Sequence, residues 1–209
     1  MKDVRIFYKK HGPLRFVSHL DMNRYLPRLI RLAGLPVWYT EGFHQHLYLT
    51  FALPLSLGFL SDYEAVDIRL TDDDFPLCEV QRRLNERAVE GLEVFAVAEP
   101  KYKPGQIGFC RYRIDFLEPT NTKALEKFLN SEHILIQKRN KKGKYNEVDI
   151  APKIKGYTLT DKTLVLTLSA GNDNLNPVLL LDEFFKCSNK TEYQVTREML
   201  YTAELKQFL

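Results

Sequence analysis

Cysteine and long apolar runs are scarce in this chain of 209 residues. It contains only three cysteines, Cys78, Cys110 and Cys187, and no two of them form a Cys-x-x-Cys pair. An odd number of widely spaced cysteines favours neither a disulfide framework nor a cysteine zinc site. No apolar run approaches the roughly 20 residues that cross a bilayer, and no signal-peptide pattern follows Met1. We therefore expect a cytoplasmic protein without disulfides or membrane contact.

The chain also lacks the sequence motifs of the commonest phosphate, dinucleotide and hydrolase sites. No Walker loop, dinucleotide fingerprint, nucleophile elbow or HExxH sequence is present. The net charge is only +3, but it is distributed unevenly: residues 1–70 carry +3, 71–100 carry −5, 101–156 carry +7 and 157–209 carry −2. Basic blocks that alternate with acidic ones favour a single surface facing a polyanion, although a solvated charge pattern with no partner gives the same counts.

Apolar periodicity separates the chain into predicted strands and helices. The composition, 44% hydrophobic and 27% charged, is that of a folded protein with one large domain or two of about 100 residues. Alternation of apolar and polar residues predicts strands, and apolar residues recurring every three or four positions predict helices. The predicted strands are 3–10, 35–39, 47–53, 63–70, 92–97, 109–116, 133–138, 145–150, a hairpin over 157–169, and 193–196, with a further short extended piece at 14–17. The predicted helices are 20–33, 76–89, 123–129 and 177–185, followed by a helical tail at 197–208.

The connector at residues 99–105, with two prolines and a glycine, is the predicted domain boundary. On each side of it the elements follow the order strand, helix, strands, helix, strand. We therefore predict an α+β protein of two tandem ferredoxin-like (βαββαβ) halves with antiparallel sheets, comprising an N-terminal domain of residues 1–99 and a C-terminal domain of residues 106–209. This prediction rests on element order, since the halves share no visible sequence identity.

The first predicted helix has clear end signals and a basic face. Ser18 is a good N-cap, Asp21 takes the acidic place of a capping box, and Gly34 is a stop. Three arginines fall at helical spacing on one side of this helix: Arg24, Arg28 and Arg31.

Residues 12–67 carry a set of distinctive motifs. They include Arg15-Phe16, Ser18-His19-Leu20-Asp21, Glu41-Gly42-Phe43, Phe51-Ala52-Leu53-Pro54-Leu55, Gly58, Glu64 and Asp67. This stretch resembles the radical-SAM-linked protein family, an uncharacterised bacterial family found alone or fused behind cobalamin-binding radical SAM domains. Where that family usually reads Gly-Phe-Asn-Pro-His-Pro-Lys, this chain has Gly42-Phe43-His44-Gln45-His46-Leu47-Tyr48, and so it lacks two prolines and a lysine.

The resemblance implies association with radical SAM chemistry on RNA, with tRNA or rRNA as the expected substrate. The chain's three cysteines cannot supply the Cys-x-x-x-Cys-x-x-Cys run that holds a radical SAM cluster. A radical SAM protein is therefore the expected partner, and this chain alone cannot perform that chemistry.

His19, His46, Asp21 and Glu64 are the candidate catalytic residues. His19 and Asp21 lie at a helix start, where capping is the simpler explanation for both. Alternatively, His19 and His46 converge on a substrate phosphate or transfer a proton. A zinc site would combine His44 and His46 with His19 and Glu64. His44 stands where the resembled family usually has asparagine, so a metal site that needs both His44 and His46 would not be general to that family. We therefore predict no metal at this position. We also predict no cofactor.

The candidate RNA-binding residues combine cationic and aromatic side chains. Guanidinium groups bind phosphates bidentately, and aromatic rings stack on unpaired bases. The alternatives are a solvated helix face and an exposed hairpin tip. The predicted residues are Arg15, Arg24, Arg28, Arg31, Phe43, His46, Lys138, Arg139, Lys141 and Lys142, with the Lys9-Lys10-His11 turn beside them.

We therefore predict an RNA-binding or substrate-presenting partner of a radical SAM RNA-modifying enzyme, non-catalytic itself. Two alternatives remain open at this point. One is a metal-independent endoribonuclease-like enzyme that uses His19 or His46, because duplicated ferredoxin-like folds also occur in such enzymes. The other is a protein–protein docking module without nucleic-acid contact. The oligomeric state is not predicted.

Overall fold

The computed structural model describes residues 1–139 and 145–209. The strands are β1 (Lys2–Lys10), β2 (Leu49–Phe51), β3 (Leu60–Leu70), β4 (Leu92–Ala98), β5 (Ile107–Phe116), β6 (Leu135–Arg139), β7 (Tyr145–Asp149), β8 (Ile154–Leu159), β9 (Thr163–Ser169) and β10 (Tyr193–Thr202). The helices are α1 (His19–Leu32), α2 (Leu77–Arg87), α3 (Thr122–Leu129) and α4 (Pro177–Phe185). The predicted mixed α+β class is confirmed.

One large, mostly antiparallel sheet runs through both halves of the chain. Its strand order is β4-β1-β3-β10-β5-β9-β8, and β2 pairs with β3 away from that path. The pair between β3 and β10 is parallel, with Thr196 opposite Leu60 and Arg197 opposite Ser61. β6 and β7 form a separate hairpin. The sequence did not predict this junction between the halves; the ferredoxin-like nature of each half and the domain bounds stay predictions.

Side chains of β1 alternate between two buried clusters. Val4, Ile6 and Tyr8 pack in a cluster that contains the apolar sides of α1 and α2. Phe7 points to the other face and packs in a second cluster, which also contains Tyr63 and the buried residues of α3 and α4. The period of two along a strand therefore places neighbouring residues of β1 on opposite faces of the sheet.

The helix α1 follows its predicted signals. Asp21 N donates to Ser18 Oγ at 3.2 Å, so Ser18 caps the helix as predicted. The helix continues through Pro27 and ends before Gly34, which adopts a left-handed backbone with φ of 62°. Within residues 1–139 and 145–209, no helix is long and apolar enough to cross a membrane.

Three local predictions were wrong. The helical tail predicted at 197–208 is strand as far as Thr202, because β10 pairs along its length with β5 and this pairing overrides local periodicity. The short strand predicted at 35–39 contributes only isolated bridges, such as Val37 with Leu70. The extended piece predicted at 14–17 is mostly a 3-10 turn, Gly12–Phe16.

Candidate functional site

Two side chains of opposite charge, Glu64 on β3 and Arg197 on β10, are buried together at the junction between the halves. Arg197 Nη1 donates to both carboxylate oxygens of Glu64, at 2.9 and 3.1 Å. The same guanidinium donates to the carbonyl oxygens of Leu53 at 2.9 Å and Pro54 at 2.8 Å. The ion pair therefore ties β3, β10 and the loop after β2 to one another.

A third charged residue, Lys10, is buried beside this pair. Its Nζ donates to the carbonyl oxygen of Val17 at 2.8 Å. Lys10 and Arg197 carry two positive charges against the single negative charge of Glu64. Burial raises the pKa of Glu64 above its ordinary value, although Arg197 and Lys10 act in the opposite direction. Burial also lowers the pKa of Lys10.

His19 lines a small cavity together with Lys10 and Glu64. The cavity has a volume of about 10 Å³ and is lined by Tyr8, Lys10, His19, Met22, Phe51, Leu55 and Glu64. The centres of the His19 and Phe51 rings are 4.7 Å apart in an edge-to-face arrangement. The Nε2 atom of His19 lies 2.9 Å from Asn23 Nδ2. A space of this size holds on the order of one water molecule, so a phosphate does not fit inside it.

The environment of His19 favours its neutral form. Burial lowers the pKa of His19 below its ordinary value, and the charges of Arg197 and Lys10 lower it further. A neutral imidazole can accept a proton. Here, however, its Nε2 contacts the amide of Asn23, and the cavity behind it leaves no room for a substrate group.

The other two candidate catalytic residues lie away from this cavity. Asp21 accepts a hydrogen bond from Ser18 Oγ at 2.6 Å, within the cap of α1. His46 lies in the exposed loop before β2, where its Nδ1 is 3.0 Å from Thr40 Oγ1. His19 and Glu64 therefore line one cavity, and neither Asp21 nor His46 lines it.

The histidine pair predicted as a zinc option shows no metal geometry. His44 and His46 are both exposed, and the carbonyl oxygen of His44 lies 3.2 Å from His46 Nδ1. Across the residues that the structure describes, no group of three or more His, Cys, Asp or Glu side chains could hold a metal ion.

The three arginines of α1 lie on its exposed side. Arg24 comes within 3.6 Å of Asp21 at the start of the helix. Arg28 and Arg31 form no ion pair with any residue in the described parts of the chain. The predicted basic face of α1 therefore carries two guanidinium groups that have no carboxylate partner among residues 1–139 and 145–209.

Arg15 and Phe16 form a small platform just before α1. The Arg15 guanidinium lies 4.5 Å from the centre of the Phe16 ring, and its Nη1 donates to Gln194 Oε1 on β10 at 2.7 Å. Phe16 remains 68% exposed. Phe43 is fully exposed at the tip of the loop before β2. Both aromatic residues have ring surface available to a partner.

The second predicted basic segment is only partly described. Lys138 and Arg139 are the last residues of β6, opposite Asn146 and Tyr145 of β7. Lys141 and Lys142 lie outside the described residues.

Sequence reasoning missed the buried roles of Lys10 and Arg197. Lys10 is expected in the basic Lys9-Lys10-His11 turn beside the RNA-binding residues, yet the alternation along the predicted strand 3–10 already places it on the same face as Val4, Ile6 and Tyr8. Arg197 was placed in a helical tail. Its pairing with Glu64 joins residues 133 positions apart, and nothing in the local sequence marks it.

Comparison with known proteins identifies a family. The family described as "Uncharacterized protein conserved in bacteria (DUF2344)" matches residues 3–177. No curated protein matches the chain. A solved structure titled "X-ray crystal structure of a heavy metal efflux pump, crystal form II" matches with 11% identity over 94% of this chain and 28% of that chain. Its TM-score of 0.28 is too low to carry an argument.

Proposed function

The chain belongs to DUF2344, a family of uncharacterised proteins conserved in bacteria, and from this premise we propose that it binds RNA and presents it to a radical SAM enzyme. The observation that carries the proposal is the exposed basic face of α1. Arg28 and Arg31 point to solvent there without an ion-pair partner in the described residues. Arginines left unneutralised by the fold bind phosphates by releasing counterions from the nucleic acid.

The Arg15–Phe16 platform supports RNA as the partner of this surface. It precedes α1 in the chain, since the turn that contains it ends at Phe16 and the helix begins at His19. An exposed ring next to guanidinium groups suits unpaired bases, which stack on aromatic side chains while the phosphates contact arginine. Single-stranded or looped RNA therefore fits this surface better than a regular duplex.

The thiols of the chain support a separate source for the radical chemistry. Burial raises the pKa of Cys110 to about 11, and an iron–sulfur cluster requires thiolates. Cys78 and Cys187 are exposed free cysteines on α2 and just after α4. Together with the resemblance of residues 12–67 to radical-SAM-linked proteins, this favours a partner that brings its own cluster.

The strand order also supports the finer fold prediction, that each half is ferredoxin-like. In the first half the order is β4-β1-β3-β2, with α1 after its first strand and α2 after its third. In the second half the order is β10-β5-β9-β8, with α3 and α4 in the matching places and the β6–β7 hairpin inserted after α3. Numbered within each half, both orders read 4-1-3-2, which suits the βαββαβ pattern over 1–99 and 106–209.

Fluorescence anisotropy with labelled bacterial tRNA and rRNA fragments, measured at several salt concentrations, tests the RNA part of the proposal. Arg28→Gln combined with Arg31→Gln should weaken binding and reduce the slope of log affinity against log salt by up to about 2. The matched control is Arg82→Gln with Arg83→Gln, which removes the same charge from arginines that Glu79 and Glu86 already neutralise. That variant should bind like the parent.

Two results would contradict the proposal. Equal affinity and salt slope for the parent and the α1 variant, with unfolding unchanged, would exclude the α1 face as the RNA surface. RNA cleavage in EDTA that His19→Gln abolishes would make the chain an endoribonuclease instead. Co-purification from native cells, with and without ribonuclease, tests the partner: recovery of a radical SAM protein supports presentation, and its absence from both samples opposes it.

A further inference from the structure

A second cavity lies on the face of the sheet that α1 and α2 do not cover. Its volume is about 470 Å³, within the range of small-molecule sites. Asp3 of β1 and Asp67 of β3 line it, and these residues alternate with Val4 and Ile68, whose side chains face the two helices. The cavity and the arginine face of α1 are therefore on opposite sides of the sheet.

The connector between β4 and β5 forms one wall of this cavity, and buried contacts hold it in place. Arg5 is fully buried and donates to both oxygens of Asp67, at 2.6 and 2.8 Å. The same guanidinium donates to the carbonyl oxygen of Tyr102 at 2.7 Å. The Tyr102 ring in turn stacks on Phe208. This wall is preformed, which spares a ligand the entropy of ordering it.

The lining of the cavity includes two aspartates and two lysines, and both aspartates are paired with arginines. Arg5 neutralises Asp67, and Arg69 neutralises Asp3 through bonds of 2.6 and 3.2 Å. Lys101 and Lys103 also line the cavity, and neither forms an ion pair within the part of the chain that the structure describes. Two cations without counter-charges favour an anionic ligand.

An aromatic wall stands opposite the connector. Tyr48 lines the cavity, and the Arg69 guanidinium lies 4.9 Å from the centre of its ring. The same guanidinium lies 5.4 Å from the Trp38 ring, which is 5.7 Å from the Tyr48 ring. The two rings are tilted by 57° to each other, so Tyr48, which lines the cavity, is the ring that a planar group can contact.

We propose that this cavity binds one nucleotide unit, with the base against Tyr48 and the phosphate on Lys101 and Lys103. An anionic group beside a planar ring is the chemistry that these side chains complement. The unit belongs either to a free nucleotide or to an RNA strand, and only the second source rests on the proposed function. Because the cavity is on the opposite face from α1, the two sites can be tested separately.

Trp38 provides a direct signal, since it is the only tryptophan in the chain. Its fluorescence should change with saturation when the parent protein is titrated with AMP or UMP, or with a short single-stranded oligoribonucleotide. Ribose 5-phosphate, which lacks the base, should bind at least about 10-fold more weakly than the probe that saturates. If AMP or UMP saturates the change in Trp38 fluorescence, the ligand of the cavity is a free nucleotide. If only the oligoribonucleotide saturates it, the ligand is one nucleotide of an RNA strand.

Two variants separate the contributions of charge and stacking. Lys101→Gln with Lys103→Gln should weaken binding about 10-fold or more, whereas Lys123→Gln with Lys127→Gln, on α3, should leave it unchanged. Tyr48→Leu should remove the preference for a nucleotide over ribose 5-phosphate. The proposal is overturned if no probe gives a saturating signal, if ribose 5-phosphate binds the parent as tightly as the nucleotide, or if the Lys101 and Lys103 variant binds like the parent.

The two proposals can fail independently. Loss of the α1 effect on RNA binding with nucleotide binding intact would refute only the proposed function. If no probe changes the Trp38 fluorescence while the Arg28 and Arg31 variant still binds RNA more weakly than the parent, only the nucleotide site is refuted.

Discussion

Replacing Glu64 with leucine tests how much stability depends on the ion pair between β3 and β10. The substitution leaves Arg197 with no carboxylate partner at a position where only 2% of its surface is exposed, and Lys10 adds a second positive charge nearby. Breaking a buried pair by removing one partner costs about 3–5 kcal/mol. Because the Leu53 and Pro54 carbonyl oxygens still accept from Arg197, we expect a loss near 3 kcal/mol, toward the lower end of that range.

The reciprocal change should be milder. In Arg197→Met, Glu64 retains Lys10 as a neighbouring charge, and burial already favours its protonated form. The lost hydrogen bonds to Leu53 and Pro54 still cost about 1–3 kcal/mol. The double variant, Glu64→Leu with Arg197→Met, buries no unpaired charge from this pair. Its loss should therefore be smaller than the two single losses added together.

Urea unfolding at neutral pH, monitored by far-ultraviolet circular dichroism, gives the free energy of unfolding of the parent, the two single variants and the double variant. These values complete a double-mutant cycle. Glu86→Leu is the control, because Glu86 forms an exposed ion pair with Arg82 and its removal should cost about 0.5 kcal/mol or less. If Glu64→Leu is as mild as Glu86→Leu, or if the single losses simply add in the double variant, the reasoning about a buried, coupled pair is refuted.

Three further predictions concern residues elsewhere in the chain. Ser18→Ala should lower the free energy of unfolding by about 1 kcal/mol through loss of the cap, whereas His46→Ala, in an exposed loop, should leave thermal stability nearly unchanged; a large drop for His46→Ala would make that residue structural. Because the folded-state pKa of His19 lies below its unfolded value of about 6.5, His19 contributes stability above that pH, and this contribution is lost as pH falls through the folded pKa. His19→Gln should therefore lose less stability between pH 7 and pH 5 than the parent does, and equal losses would contradict the burial argument. Gly91→Ala should destabilise by more than about 1 kcal/mol, since Gly91 has a φ of 91° and a Cβ there would meet the His11 carbonyl oxygen; Gly105→Ala, with open space around it, should be neutral in the same urea titration.

Local signals in the sequence predicted the elements whose causes are themselves local. Ser18 and Gly34 bound α1 because a cap and a left-handed stop act within a few residues. The alternation of Val4, Ile6 and Tyr8 predicted β1 for the same reason. The exposed arginines of α1 were also predicted from spacing alone, because the opposite side of the helix carries its apolar residues.

The features that the sequence did not reveal depend on contacts between distant residues. The segment after Thr196 has the spacing of a helix, yet it becomes strand as far as Thr202 because it pairs with β5. Glu64 was a candidate for catalysis, and only its distant partner Arg197 shows its place in a buried ion pair. The convergence of His19 with His46 required a distance that sequence cannot supply, and His46 does not line the His19 cavity.

The ion pair at the junction sets an order of events during synthesis. Arg197 is added 133 residues after Glu64, which at about 5–20 residues per second is a delay of roughly 7–27 s. Throughout that interval the carboxylate of Glu64 has no guanidinium partner, and Leu60 and Ser61 at the start of β3 lack the strand that pairs with them. The nascent N-terminal half therefore presents an open strand edge to the cell, of the kind that chaperones bind and that other chains can join. Completion of the last strand closes that edge and brings the buried charge its partner in a single step.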